Sequence, residues 1–458
     1  MMIYNMMNKT KKNKKRRNGK SCKTKKEGLY NEIPKILEIN GYKVLLFPSK
    51  TKVTMIECHI LGGFYFENKD NTGISHLLEH ALTDSWKKCK KNNCNKYWEN
   101  YGISMNAYTE DLKNIYWIKG LDDIFDKMIE YIIEIVINPV FSSKVIKKEK
   151  KAIENELYQI INDPSWELYN KINENLYTRE GLKYADNFKQ QLKVLKELTK
   201  EKVVNYYNEY YRKNNMLFVI TSNVEKTKII QTFKKLTKKN VNKETFLLKV
   251  NNCFTYQKNI IFIPNKNAKN TDITISFPLN IKKGDYDEIY VNILSKILAS
   301  DLSSILLKIL RDKKNLIYGI SCSSETNFCG TVILLRVSTL DKNVKKVLDI
   351  IFKTCKKYSN ELIPMYNLVK FKRKQKMEIL ELNLNSVNTS SKFYINQLFY
   401  QMDKRTPNIT TFKKFIQRVN KINRKNLKQI IKRIFDTKKC LIVYQGKKKL
   451  KNFDINSF

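Results

Sequence analysis

Histidine is scarce in this chain: among 458 residues there are three, His59, His76 and His80. Long apolar runs are missing as well. No stretch reaches the roughly 18 uncharged apolar residues that a membrane-spanning helix needs. The most apolar segment, from Ile129 to Phe141, is broken by Glu130 and Glu134. No spacing suggests a cysteine framework. Nine cysteines, an odd number at irregular intervals in a long chain, read as isolated thiols in a reducing, intracellular setting whose compartment stays unspecified. Cys89 and Cys94 lie close together, but no second pair follows at zinc-ribbon spacing. Acidic residues are few, 44 against 87 basic ones, leaving a formal charge of +43. Arginine is scarce even among the basic residues, at 11 of the 87. The lysines run through the whole chain among asparagines, which is a compositional bias rather than a binding stripe. Nucleic-acid contact is expected only through the basic tail over residues 1–30, which holds the run Lys9–Arg17 and lacks the apolar segment of a secretory signal.

Past the tail, the apolar pattern alternates between strands and helices. Lys43–Pro48 and Thr54–Leu61 are strand-like, and Gly62-Gly63 ends the second of them. Two short strands are expected over 102–118. Helices are expected over Leu121–Ile137 and from Ser142/Ser143, whose hydroxyls suit a cap, to Asn162. A lysine- and asparagine-rich linker is expected over 237–252. The pattern then starts again: Asn259–Pro264 and Thr271–Phe277 echo the first two strands, and a helix from Asn420 to Phe435 precedes a strand at Cys440–Tyr444. The predicted fold is α+β, with two duplicated, homologous domains (31–236 and 253–458), each a mixed β-sheet packed with helices. The second copy has no histidine, so a metal site belongs to the first.

That site is legible in His76-Leu-Leu-Glu79-His80. Positions i and i+4 lie one helical turn apart on one face, so both imidazoles can reach a single ion, with Glu79 beside them. This is the inverted zinc-protease order, H-x-x-E-H. A catalytic zinc takes three protein ligands and leaves one position for water. The third is expected from the acidic helix after Ser143, which offers Glu149, Glu154 and Glu156. Glu149 and Glu156, seven apart, share a face; one can ligate while the other orients a histidine. His59 sits on a strand, far from the motif, and reads as structural.

Further stretches carry a resemblance. Gly73-Ile-Ser-His-Leu-Leu-Glu-His, Gly102-Ile-Ser-Met-Asn-Ala-Tyr-Thr, Glu149-Lys-Lys-Ala-Ile-Glu-Asn-Glu and Leu310-Arg-Asp-Lys-Lys-Asn-Leu-Ile-Tyr resemble the pitrilysin/insulinase family of zinc peptidases, in its processing-peptidase-like branch. The likeness spans most of residues 35–446. It implies one Zn2+ per chain on His76, His80 and Glu156, with Glu79 as the base and Glu149 behind a histidine. It implies a substrate-binding edge strand at Asn106, Ala107, Tyr108 and Thr109, and a catalytic role for Arg311 and Tyr318 in holding the peptide substrate and the tetrahedral intermediate. Single-chain members of the family are about twice this length, so a homodimer is expected, with a heterodimer as the alternative. The function implied is zinc-dependent endopeptidase action on peptides or unfolded segments within a chamber. The rival expectation is a catalytically silent basic scaffold, or a nucleic-acid-associated protein, on a peptidase-like fold.

Overall fold

The computed structural model describes residues 35–88, 94–238, 253–282, 285–327, 329–384, 387–399 and 409–450. The tail expected over 1–30 lies outside them, as does the expected linker apart from Thr237 and Lys238. In the first half the strands are β1 (Ile36–Ile39), β2 (Tyr42–Pro48), β3 (Val53–Leu61), β4 (Ser104–Thr109), β5 (Lys113–Leu121) and β6 (Met216–Ser222). Its helices are α1 (Ile74–Thr83), α2 (Cys94–Glu99), α3 (Phe125–Ile137), α4 (Ser143–Ile161), α5 (Trp166–Leu176), α6 (Glu180–Lys183), α7 (Phe188–Glu197), α8 (Lys200–Tyr210) and α9 (Lys226–Leu236). The second half adds β7 (Asn259–Pro264), β8 (Thr271–Leu279), β9 (Ile317–Thr326), β10 (Thr331–Thr339) and β11 (Leu441–Gly446). With them come α10 (Tyr286–Ala299), α11 (Ile305–Leu307), α12 (Val344–Asn360), α13 (Met365–Leu384), α14 (Val387–Phe399), α15 (Phe412–Lys421) and α16 (Arg424–Ile434).

The two sheets repeat one plan. The first runs β1-β2-β6-β3-β5-β4 and the second β7-β11-β8-β10-β9, so dropping β1 superposes the orders strand for strand. Even the register repeats. Lys43 pairs in parallel with Leu217 at the start of the β2–β6 ladder, and Asn259 pairs in parallel with Leu441 at the start of its counterpart. In each half one strand leads through a helix to an edge hairpin: β3–α1–β4–β5 and β8–α10–β9–β10. The α+β duplication is as expected. The helix expected from Asn420 to Phe435 is broken at Ile422-Asn423, where the Asn423 side chain accepts from the backbone N–H of Asn426 and caps α16. α4 does begin after Ser142, but no side-chain hydroxyl caps it.

Packing crosses between the halves. α5 lies against β11, β7 and β8 of the second sheet, while α14 lies against β6 and β2 of the first. Tyr394, Ile395, Leu398 and Phe399 of α14 accordingly sit in the same buried cluster as Val44, Leu217 and Val219. Each sheet thus has one face covered by a helix from the other half, which removes apolar surface from water at the junction. His59 is buried on β3, its ring tilted against that of Phe399 at 6.3 Å.

Isolated thiols are not the whole account of the cysteines. Cys253 and Cys329 form a disulfide across 76 residues, and Cys94 is also disulfide-bonded. Cys58, Cys322, Cys355 and Cys440 are free and buried. Parity and spacing carry no signal of this pairing, because the fold decides which sulfurs approach.

β3 ends where the backbone must pass close to the β4–β5 turn. The N–H groups of Gly62 and Gly63 both donate to the Leu112 carbonyl, and a Cβ on Gly63 would stand 2.0 Å from the Glu110 carbonyl oxygen. Gly63→Ala is therefore expected to lose about 1–3 kcal/mol of stability through overpacking against backbone that cannot yield. A lower urea midpoint at unchanged slope checks it; an unchanged midpoint refutes it.

Candidate metal centre

α1 places the two histidines. Ile74, Leu77, Leu78, Ala81 and Leu82 recur at helical spacing and are buried, which leaves His76 and His80 on the opposite, partly open side. The helix starts at Gly73, whose φ of +87° is a left-handed conformation and which has no side chain to cap with. Glu67 takes over the capping. Its buried carboxylate accepts from the Gly73 N–H at 2.8 Å, from the Ser75 N–H at 2.9 Å and from the Ser75 hydroxyl. A negative charge at this end also complements the helix dipole. Burial pushes the Glu67 carboxyl up to about 7, against the pull of its donors.

α4 runs along α1 and brings acid to both rings. The Nε2 atoms of His76 and His80 lie 3.7 and 3.9 Å from the same oxygen of Glu156, and the ring centroids are 4.8 Å apart. One ligand atom from each of the three residues falls within 4.8 Å of the others, the group among the described residues that can hold a metal ion. Tetrahedral zinc with bonds near 2 Å sets its ligand atoms roughly 3.3 Å apart, so small side-chain rotations close the set. Two imidazole nitrogens and a carboxylate oxygen are also a donor set that zinc takes. Burial, helped by the neighbouring His80, lowers His76 to about 4, so its ring is neutral and its lone pair free.

The other nitrogen of His80 is engaged. Nδ1 lies 3.1 Å from Glu149, an acid that is itself held by Lys148 at 3.0 Å. Burial alone would lower His80, but the Glu149 hydrogen bond and the charges of Glu79 and Glu156 outweigh it and raise its pKa. Glu149 moves the opposite way: burial works against ionisation, yet His80 and Lys148 hold it below the usual carboxylate range. Glu154 is two residues from Glu156 and lines a different cavity, on the side of α4 facing α7.

Glu79 is buried between the metal group and the edge strand. Its Oε2 accepts from the Thr109 hydroxyl at 2.6 Å, and Thr109 in turn accepts from the side-chain amide of Asn114, which also donates to the Ser75 carbonyl. Burial raises Glu79 despite the Thr109 bond and the His80 charge. The expected edge residues Asn106, Ala107, Tyr108 and Thr109 lie on β4, the last strand of the sheet, which pairs with β5 alone. A cavity of about 310 Å³ opens beside them, between Glu79 and His80 on one side and Met105, Asn106 and Ala107 on the other. Arg311 and Tyr318 are not brought to this group. Arg311 pairs with Asp312 at 3.3 Å in the π-type turn after α11, and Tyr318 on β9 is 94% exposed.

The profile "Insulinase (Peptidase family M16)" matches residues 43–185, and "Peptidase M16 inactive domain" matches residues 197–374. The chain belongs to the insulinase family. The "inactive" profile falls on the part without histidine, while His76, Glu79 and His80 lie within the other. Among insulinase-family relatives, an uncharacterized zinc protease of Rickettsia felis is 26% identical over 285 residues, 60% of this chain and 66% of that protein. The mitochondrial-processing peptidase subunit beta of Caenorhabditis elegans is 21% identical over 196 residues, 43% of this chain and 42% of the relative. These alignments thus span between about two fifths and just under two thirds of the relatives' own length. In fold, a protease from Helicobacter pylori superposes with a TM-score of 0.79 at 19% identity, covering 90% of this chain and all of that one. Among the described residues, no helix is long and apolar enough to cross a membrane.

Glu67, Asn114 and Lys148 complete the surroundings without any signal in the HxxEH motif. A polar Asn directly before the apolar and aromatic run over residues 115–118 is the one hint that sequence could offer. Because burial raises the folded-state pKa of Glu67 above its unfolded value, folding takes up a proton between about pH 4.5 and 7, and stability falls as pH rises through that window. Glu67→Gln is expected to remove up to on the order of 3 kcal/mol of that fall. Urea midpoints of both proteins across pH 4.5 to about 7.5 check this, and parallel curves refute it.

Proposed function

We propose that this insulinase-family chain is a zinc-dependent endopeptidase acting on peptides or unfolded segments. The observation that carries the reading is the convergence of His76, His80 and Glu156, with a buried Glu79 alongside and Glu149 on the far nitrogen of His80. His76, His80 and Glu156 hold the ion. Bound there, zinc supplies Lewis acidity that makes water a nucleophile near neutral pH. Glu79 takes the water's proton at its free carboxylate oxygen and returns it to the departing amine. A raised carboxyl pKa suits both transfers, since the group must accept and then release. Thr109 fixes the other oxygen and ties the base to the edge strand.

Substrate adds to β4 as a further antiparallel strand, which reads backbone more than side chain. The cavity beside Met105–Ala107 receives a side chain next to the cut. Arg311 and Tyr318 complete the site from the second half of a partner copy: Tyr318 lies bare in one chain, as a residue waiting for a facing surface does. A homodimer closing around peptide accounts for both parts in one sequence.

Glu79→Gln is expected to keep one zinc per chain and to lose peptide hydrolysis by about 100-fold or more. Metal analysis with a peptide-library digest checks it. Wild-type protein without stoichiometric zinc, or Glu79→Gln as active as wild type, ends the reading. Co-expression of Glu79→Gln chains with Tyr318→Phe chains is expected to restore activity above either variant alone, because one site of the mixed dimer is intact. No restoration in a verified mixed dimer removes the role of the partner copy.

A further inference from the structure

We infer that the cleft between α4 and the α7–α8 junction binds a small, multiply charged phosphate compound, independently of the metal centre. The cavity there is about 460 Å³, the size of a small-molecule site. Five lysines line it: Lys147, Lys150 and Lys151 from α4, and Lys196 and Lys200 from the junction. Glu154 is the one acid among its lining residues. Ile146, Leu195 and Leu198 are buried and form the apolar floor.

Lysine is abundant everywhere in this chain, yet three further cavities show no such cluster. The one beside β4, the one at the start of α5 and the one over β8–β10 hold a single lysine between them, Lys148. Compositional bias would have spread the lysines; here they converge. Their charge is also only partly offset, by Glu154 near Lys150. Among the described residues, Lys147, Lys151, Lys196 and Lys200 form no ion pair.

Lys150 shows that the cleft is prepared. Its ammonium donates to the carbonyls of Lys196 and Leu198, both at 3.0 Å, which fixes a positive charge at the end of α7. Partial burial lowers its pKa, the cost of holding a cation with one nearby acid. Ammonium groups arriving from two elements match the several oxygens of a phosphate chain better than one planar carboxylate, and the apolar floor takes an attached ring or base. The cleft lies on the side of α4 turned away from Glu149 and Glu156, so occupancy does not need the zinc ligands.

The test titrates full-length protein with inorganic triphosphate by calorimetry, at constant ionic strength maintained with sodium chloride. Saturable 1:1 binding is expected, weakened about tenfold or more in Lys150→Ala/Lys196→Ala, from the loss of two charge-assisted contacts. Lys345→Ala/Lys346→Ala removes the same charge from the exposed face of α12 and should change affinity less than about twofold, since screening leaves remote charges little effect. Glu79→Gln should bind as wild type does. Non-saturable binding, or equal weakening in both double variants, means a diffuse charge effect and overturns the site. Saturation by a poly-glutamate peptide in place of triphosphate overturns the ligand class.

Discussion

The docking of α4 on α1 governs the candidate metal centre. Without it the chain has two imidazoles on one turn of helix and no third donor. With it, Glu149 reaches Nδ1 of His80 while Glu156 stands before both Nε2 atoms. The first contact sets up the second. A carboxylate on Nδ1 keeps the proton there and leaves Nε2 as a lone pair facing the site, and it stops the ring from turning. Lys148 then holds Glu149 ionised, so the order extends one more residue from the centre. The N-terminal end of α1 is fixed by Glu67, and Glu79 is fixed by Thr109 on the edge strand. α1, α4 and β4 are therefore held to one another through a few charge-assisted hydrogen bonds, the kind that define geometry most sharply.

Duplication explains the rest of the frame. Both halves build one sheet order and one strand–helix–hairpin unit, but α1 of the first carries two histidines and α10 of the second carries none. That half has an exposed hairpin edge with Tyr318 and a helix, α14, that covers part of the first sheet. The crossing of α5 and α14 makes the halves depend on each other, since each leaves apolar surface bare if the other withdraws.

Net charge says little about the local charge along α4. A chain at +43 gathers Glu79, Glu149 and Glu156 around two histidines, where negative charge suits a cation. A short way round the same helix it gathers five lysines over an apolar floor. α4 is thus acidic on one side and basic on another, and local sign, felt over about a Debye length of 8–10 Å, decides what each side attracts.

Whatever depends on local periodicity could be read along the chain. His76 and His80 share a helix face because the backbone repeats every 3.6 residues, and Glu149 and Glu156 share one for the same reason. The alternation of apolar residues likewise disclosed the strands and their repetition in the second half. Packing set which partners meet across long stretches of chain. It joined His80 to Glu149 across 69 residues and Cys253 to Cys329 across 76, buried Glu67 under α1, and left Tyr318 in the open. Pattern in sequence reports which face a residue occupies. What that face meets is set by how whole elements pack to bury their apolar sides, and no spacing along the chain encodes it.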